Sequence, residues 1–367
     1  MRRAAALLFA ALVAAACAPS LPDAYVRSRA AAERAYSAGR YDEAAREWQK
    51  AAATADLAYH RNDARYRAAA SLERAGRWPE ARRALDAFLH DAPKSSGAAR
   101  AAYDRANLEF SHGDPRKGVA MLEQVIADHP ESAAAANAVR LRLIQIEESG
   151  GVAASRAWLD RMIPRFQKTG VGELLHYSYA ECLKKQGLLA AARDRYVYVA
   201  DTHGYPFGDL WDDALFHASE LDETLGDAKT AILRLRRMLA ERESSDFQGS
   251  YERPRFAPAQ YRIAELYRDR LGDRGRARRE FEKLWNDHPT SLLRDDARWN
   301  QALIAAADGD QRDACNTLTS LQKEMPDSRF SACAPLVCPT LAAPKGKRCH
   351  RYVARSAAHT LGRPPPD

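Results

Sequence analysis

The chain has 367 residues, 46% of them hydrophobic, only 19 Gly and 18 Pro, and a formal charge of +7. That length holds two or three ordinary domains or one elongated array, and the Ala- and Arg-rich composition favours helix. The basic excess is mild and scattered, falling to +5 once Arg2 and Arg3 are set aside, which excludes nucleic acid as an expected partner.

The first element is the N-terminus. Arg2 and Arg3 form a basic start, Ala4 to Val13 an apolar run of ten residues, and Ala14, Ala15 and Ala16 a small-residue step before Cys17. Ten apolar residues are too few to span a bilayer, so residues 1–16 read as a cleavable export signal. The segment resembles a bacterial lipoprotein signal, with Ala14 where Leu is usual. The resemblance implies lipidation of Cys17, a tether over 17–24 and, with Ala18 rather than Asp next to it, sorting to the outer membrane. The three alanines equally fit an ordinary A-x-A cleavage site. No later apolar run approaches the ~18 residues of a membrane span.

From residue 25 a ruler appears. A Gly is followed after five residues by a small residue and four later by a large apolar one: Gly39, Ala44, Trp48; Gly76, Ala81, Leu85; Gly113, Gly118, Leu122; Gly150, Ser155, Leu159; Gly187, Ala192, Tyr196; Gly226, Ala231, Leu235; Gly272, Ala277, Phe281; Gly309, Ala314, Leu318. The glycines are spaced 37, 37, 37, 37, 39, 46 and 37 residues apart. A fixed period of this size is the mark of stacked repeats. Before each Gly runs a helical pattern centred on Ala32, Ala69, Ala106, Leu143, Ala180, Ser219, Ala264 or Ala302. Gly then allows the left-handed backbone that stops a helix, and the second helix carries its small and large residues four apart on one face. Pro93, Pro130, Pro289 and Pro326 close their units.

This pattern resembles the tetratricopeptide repeat over residues 25–331, with repeats two, three, seven and eight the better matches and repeats four to six lacking the Pro. The resemblance implies an all-α, right-handed solenoid of about eight helix-turn-helix repeats. The period of 37 and the P-x-S openings at Pro130-Glu131-Ser132 and Pro289-Thr290-Ser291 are similar to periplasmic tetratricopeptide lipoproteins, the barrel-assembly type called BamD among them. The interval of 46 marks an insertion near 243–254 that carries Phe247 and Tyr251, either a tolerated extension or a contact loop.

In such arrays the first helices line the concave side. Three residues before each central residue stand Arg29, Tyr66, Tyr103, Arg140, Tyr177, Phe216, Tyr261 and Trp299. Six of the eight are aromatic in a chain that is 8% aromatic overall. Such a ladder serves either as packing between neighbouring first helices or as a partner-binding surface, since aromatics and Arg are the residue types of binding hot spots. The adjacent Glu33, Glu73, Asn107 and Glu181 make the groove mixed in charge, which suits a protein segment; a glycan stacking on the aromatics is the alternative.

Six cysteines occur. Cys182 reads as a buried thiol in a first helix, while Cys315, Cys333, Cys338 and Cys349 read as a disulfide framework permitted by export. The expected pairs are Cys315–Cys333 and Cys338–Cys349. Spacings of 18, 5 and 11 lack a zinc knuckle, so no metal is expected. Residues 332–367 are basic and Pro-rich and read as an extended, partly disordered tail, with Lys345, Lys347, Arg348, Arg351 and Arg355 open to anionic lipid A or an acidic partner, or simply solvated.

The segments D-H-P-E-S (128–132) and D-H-P-T-S (287–291) place an acid, a His and a Ser together twice. At the same phase of the ruler Pro93 and Pro326 lack the His, so the motif reads as punctuation: His129 and His288 at helix C-termini, Ser132 and Ser291 at the next N-cap. Asp212-Asp213 and Asp295-Asp296 similarly open first helices. No catalytic, phosphate-binding or dinucleotide motif appears, and neither enzyme activity nor a cofactor is expected. The reading is an outer-membrane lipoprotein on the periplasmic face, a scaffold for periplasmic or outer-membrane proteins. The alternative is a module for peptidoglycan or an accessory subunit of a cell-wall enzyme.

Overall fold

The computed structural model describes residues 21–241 and 253–364. The expected signal (1–16), Cys17, residues 18–20 of the tether and the pair Phe247 and Tyr251 lie outside the described residues. The chain divides into two compact units, the first ending at Leu175 and the second beginning at His176.

Both units are built of antiparallel helix pairs. In the first unit these are α1 (Asp23–Ser37) with α2 (Tyr41–Thr54), α3 (Ala58–Arg74) with α4 (Trp78–Asp91), α5 (Ala98–His112) with α6 (Pro115–Asp128), and the two arms of α7 (Ala133–Phe166), which meet at Gly151. The helix α8 (Gly172–Lys185) carries the division. In the second unit α9 (Leu189–Thr202) follows α8, α10 (Trp211–Thr224) pairs with α11 (Ala228–Ala240), and α12 (Phe256–Glu265), prolonged by a π-turn over Leu266–Arg270, pairs with α13 (Arg274–Asp287). The last pair is α14 (Arg294–Ala307) with α15 (Gln311–Glu324), followed by a 3-10 segment, Ser331–Leu336, and α16 (Arg351–Thr360). The eight helix pairs expected from the ruler are therefore present, and no described helix is long and apolar enough to cross a membrane.

The ruler marks the core. The small residues of the second helices and their large partners four positions on are all buried, from Ala44 and Trp48 to Ala314 and Leu318. Gly118 takes the small position in the third repeat because α5 comes too near for any side chain: a Cβ there would meet the Phe110 backbone nitrogen at 2.4 Å. Of the first-helix central residues only Leu143 is not buried.

The turns follow the expected glycines with two corrections. At Gly39 (φ 74°) the Arg40 N–H donates to Ala35 O at 2.9 Å and the Gly39 N–H to Tyr36 O at 3.0 Å, the paired bonds that close a helix on a left-handed residue. The same pair recurs at Gly76, Gly187, Gly226 and Gly309. In the fourth repeat the left-handed residue is Gly151, one beyond the Gly150 of the ruler. In the third, Gly113 has φ −136° and the turn runs through Asp114, which Pro115 holds extended and which caps α6 by accepting from Arg116 N and Lys117 N.

The D-H-P-x-S segments are structural. His129 and His288 are helix C-caps, their N–H groups donating to Val125 O and Leu284 O. Ser132 caps the first arm of α7, accepting from Ala135 N at 3.1 Å. Ser291 does not cap a helix; it lies before Leu293, whose N–H donates to its hydroxyl at 3.1 Å.

The C-terminal segment differs most from expectation. Its residues are folded as far as 364, and the disulfides join Cys315 to Cys338 and Cys333 to Cys349, with Cα–Cα distances of 5.1 and 4.6 Å, in place of the expected pairs. The physical reason is the 3-10 segment. It starts where another first helix would start after Pro326, buries Cys333 on its inner side, and delivers Cys338 beyond its end to Cys315 on α15. Val353 and Ala357 of α16 then join the same apolar cluster as Trp299, Leu318 and Phe330. Lys347, expected to be open, pairs with Asp327. Cys182 is a buried thiol.

Candidate functional site

The ladder residues divide by what covers them. In the first unit Tyr66 of α3 and Tyr103 of α5 are half-buried and line one groove of about 800 Å³ across the first three repeats. The Tyr66 hydroxyl donates to Asp104 Oδ2 at 2.6 Å, and its ring lies 6.2 Å from that of Phe88. One edge of the Tyr66 ring is thus committed to packing while the groove side remains. Arg29 is exposed and ion-paired with Glu33 at 2.9 Å, which brings Glu33 into the lining. Arg140 is exposed, bonds Asn137 at 3.2 Å, and does not line the groove.

The groove is mixed in charge, as expected, with Glu33, Asp63, Glu73 and Asp104 facing Arg67, Arg74 and Arg100. Arg67 pairs with Asp63 at 2.8 Å and Arg100 with Asp104 at 3.1 Å. Burial, then the nearby Asp104, push the Glu73 carboxyl above its usual range. Burial and the hydrogen bond to Asp104 likewise push the Tyr66 phenol up. A second hollow of about 400 Å³ shares Asp63 and Tyr66 with the groove and continues it past Phe88 toward Ser95 and Gly97.

Besides the buried Trp48, three lining aromatics fall outside the ladder register. Trp78, the first residue of α4, stacks flat on His112 with centroids 3.7 Å apart, and Tyr36 meets Tyr41 edge-on at 5.2 Å. Trp78 and Tyr36 are 39% and 37% exposed. Their signal was present in the sequence: each lies within three residues of a glycine of the ruler, Gly39, Gly76 or Gly113.

In the second unit the ladder is mostly consumed by packing. Tyr177 meets Tyr196 edge-on at 5.4 Å, and Glu181, expected as a groove charge, accepts the Tyr196 hydroxyl. Phe216 is buried beneath the Arg255 guanidinium, 4.8 Å from its centroid. Tyr261 is half-buried, stands edge-on to Phe281 at 5.2 Å, and accepts from Asn300 Nδ2 at 3.0 Å. Trp299 is 3% exposed, stacked on Phe330 at 5.3 Å. Phe216 and Trp299 therefore offer a partner almost no surface, which corrects their place among the binding candidates. A hollow of about 670 Å³ remains between α14 and α16, and its arginines are already held: Arg268 by Asp269 and Asn300, Arg274 by Asp308, Arg329 by Asp296.

Helix pairs on a 37-residue period broken at two intervals, with small residues on the second helices and aromatics on most of the first, define a helical-repeat protein. The tetratricopeptide repeat model matches residues 63–95, 100–132, 258–291 and 296–328, and over these segments the chain is similar to that repeat. They are the second, third, seventh and eighth repeats, those that carry the closing Pro. No curated protein matches the sequence. Among solved structures, a tetratricopeptide repeat protein from Parabacteroides merdae ATCC 43184 is similar at 13% identity with a TM-score of 0.34, covering 76% of this chain and 99% of that one. PilW, described as a widely conserved type IV pilus biogenesis factor, is similar at 16% identity and TM-score 0.31 over 73% of this chain and 94% of its own. The tetratricopeptide domain of P58(IPK) is similar at 17% and 0.25 over 85% and 88%.

Proposed function

We propose that this protein is a non-enzymatic scaffold, anchored to the outer membrane through a lipidated Cys17 and facing the periplasm, that holds a protein segment in the groove of its first three repeats. The observation that carries the reading is the groove itself, about 800 Å³, open, and lined by rigid aromatics and both signs of charge. Tyr and Trp give large contact area at small entropic cost, and Arg and carboxylates fix register. Two disulfides in the last repeat and its cap support a compartment in which disulfides persist. The settings that fit are β-barrel insertion, secretin or pilus assembly, gliding and export machineries. A barrel-assembly role of the BamD type is one of these.

Affinity purification from gently solubilised envelope, comparing the parent chain with Tyr66→Ala plus Tyr103→Ala, tests it. The double variant should fold and lose its partner; undiminished recovery refutes the groove. Cys17→Ala should abolish acyl labelling and release the protein from the outer-membrane fraction. One observation favours a second reading. Exposed Trp78 and Tyr36 beside carboxylates also suit a sugar ring. Co-sedimentation with purified sacculi, lost in Trp78→Ala, would favour peptidoglycan as the ligand.

A further inference from the structure

We infer that the groove of the first three repeats takes a segment presenting a lysine or arginine, with the Glu73 carboxylate as counter-ion and the open part of the Trp78 ring as the platform for the adjoining residue. This rests on the groove being a protein-binding surface and names what it selects.

The argument starts from which charges are already satisfied. Glu33 holds Arg29, Asp63 holds Arg67, and Asp104 holds Arg100 while accepting the Tyr66 hydroxyl. The Glu73 carboxylate makes no hydrogen bond or ion pair among the described residues, although the residue is half-buried and lines the same groove. It lies seven residues after Tyr66 on α3, two turns on and therefore on the same face.

The groove lining carries four carboxylates, Glu33, Asp63, Glu73 and Asp104, against three arginines, Arg67, Arg74 and Arg100. Asp104 acts on Glu73 unfavourably, and the favourable fields of Arg74 and Arg100 do not offset that and the loss of water together. The Tyr103 phenol is pushed up by burial and then by the same two carboxylates. A half-buried carboxylate beside another carboxylate is costly until a cation arrives. A cationic side chain would answer the Glu73 charge, which a neutral ligand would leave unanswered. Trp78 is fixed by its stack on His112 and keeps 39% of its surface open. Such a ring loses little entropy on binding and attracts cations through its face.

The test is a positional-scanning library of fluorescein-labelled dodecapeptides read by anisotropy on the full chain, with each position fixed in turn as lysine, arginine, norleucine or glutamate. One position should favour lysine or arginine over norleucine by about five- to tenfold, the scale of one charge-assisted hydrogen bond at a partly exposed site. Glu73→Gln, which keeps shape and should melt with the parent, should reduce that preference to under about twofold while retaining residual binding. Trp78→Ala should weaken all peptides. Equal affinity for lysine and norleucine, or a lysine preference that survives Glu73→Gln, overturns the cation assignment and leaves the groove reading standing. Failure of every peptide to bind overturns the groove reading and this inference with it.

Discussion

Gly118→Ala separates two physical effects of opposite sign. In an open helix the change stabilises by about 1 kcal/mol, because alanine loses less backbone freedom on folding. Here the new Cβ would lie 2.4 Å from Phe110 N, 2.5 Å from Phe110 Cα and 2.7 Å from Phe110 Cβ. Backbone cannot rotate aside, so α5 and α6 must separate by roughly 1 Å. Overpacking of this kind costs about 1–3 kcal/mol, more where the obstacle is main chain. The net expectation is a destabilisation of about 1–2 kcal/mol, or roughly 3–6 °C in the melting temperature of a unit this size. The assay is urea denaturation of the full chain followed by circular dichroism, with Gly275→Ala as comparison: Gly275 lies in α13 and its nearest neighbours are side-chain tips at 3.7 and 3.9 Å. Gly275→Ala should be neutral or stabilising. Stabilisation by Gly118→Ala of the same size would refute the close approach of α5 and α6. Because Tyr103 and Asn107 ride on α5, the variant should also weaken whatever occupies the groove.

Ser155 buries a hydroxyl without a partner among the described residues at a position that is Ala in six other repeats, so Ser155→Ala should raise stability by about 1 kcal/mol in the same denaturation assay. Acid should weaken the units in different windows, which tryptophan fluorescence against pH can follow. His176, pushed down to about 4 by burial, then Arg195 and His203, is held neutral, so the second unit should lose stability as pH falls from about 6.5 to 4. Glu109, pulled down to about 2 by the Asp114 N–H and then Arg105, stabilises the first unit above about pH 4.5, and that contribution should fade as pH falls toward 2. Cys333→Ser with Cys349→Ser opens a link across 16 residues and should cost about 3 kcal/mol locally, seen as lost amide protection over 351–360 and a red shift of Trp299 emission.

What was legible in the sequence was what repeats. A small residue at each helix crossing and a large one a turn later recur because each pair buries the same face, so Ala44 with Trp48 and Ala277 with Phe281 could be read from spacing alone. The two turn errors have local causes. Gly150 and Gly151 are adjacent, and only the backbone shows which one turns left-handed. At Gly113 the following Asp114-Pro115 removes the usual turn, a signal present in the sequence but outweighed by the period. The cap was illegible for another reason. Its composition is that of a loose tail, and its order comes from two interleaved disulfides whose pairing four cysteines do not specify. The buried alternation of Val353, Ala354, Ala357 and Ala358 was there to be seen, but ten residues make a marginal helix until something holds them.

The ladder shows why packing and binding are not competing accounts of one residue. Tyr66 donates to Asp104, the residue after Tyr103; Tyr261 accepts from Asn300, the residue after Trp299; Tyr177 lies 6.3 Å from His217, the residue after Phe216. These three rungs thus reach one position past the next rung, a register of 38 to 40 residues close to the period that spaces the turn glycines. The contact fixes the ring edge and the hydroxyl, and so fixes the angle between neighbouring first helices. What remains for a partner is the face of the ring, and how much remains depends on the next repeat. Trp299, followed by the cap, is covered by Phe330 and keeps almost none. Tyr66 and Tyr103, followed by ordinary repeats, keep a half-buried surface in the groove. Substitution at Tyr66 should therefore disturb both the helix angle and the ligand, whereas Glu73 and Trp78, which take no part in the rung register, should affect the ligand alone.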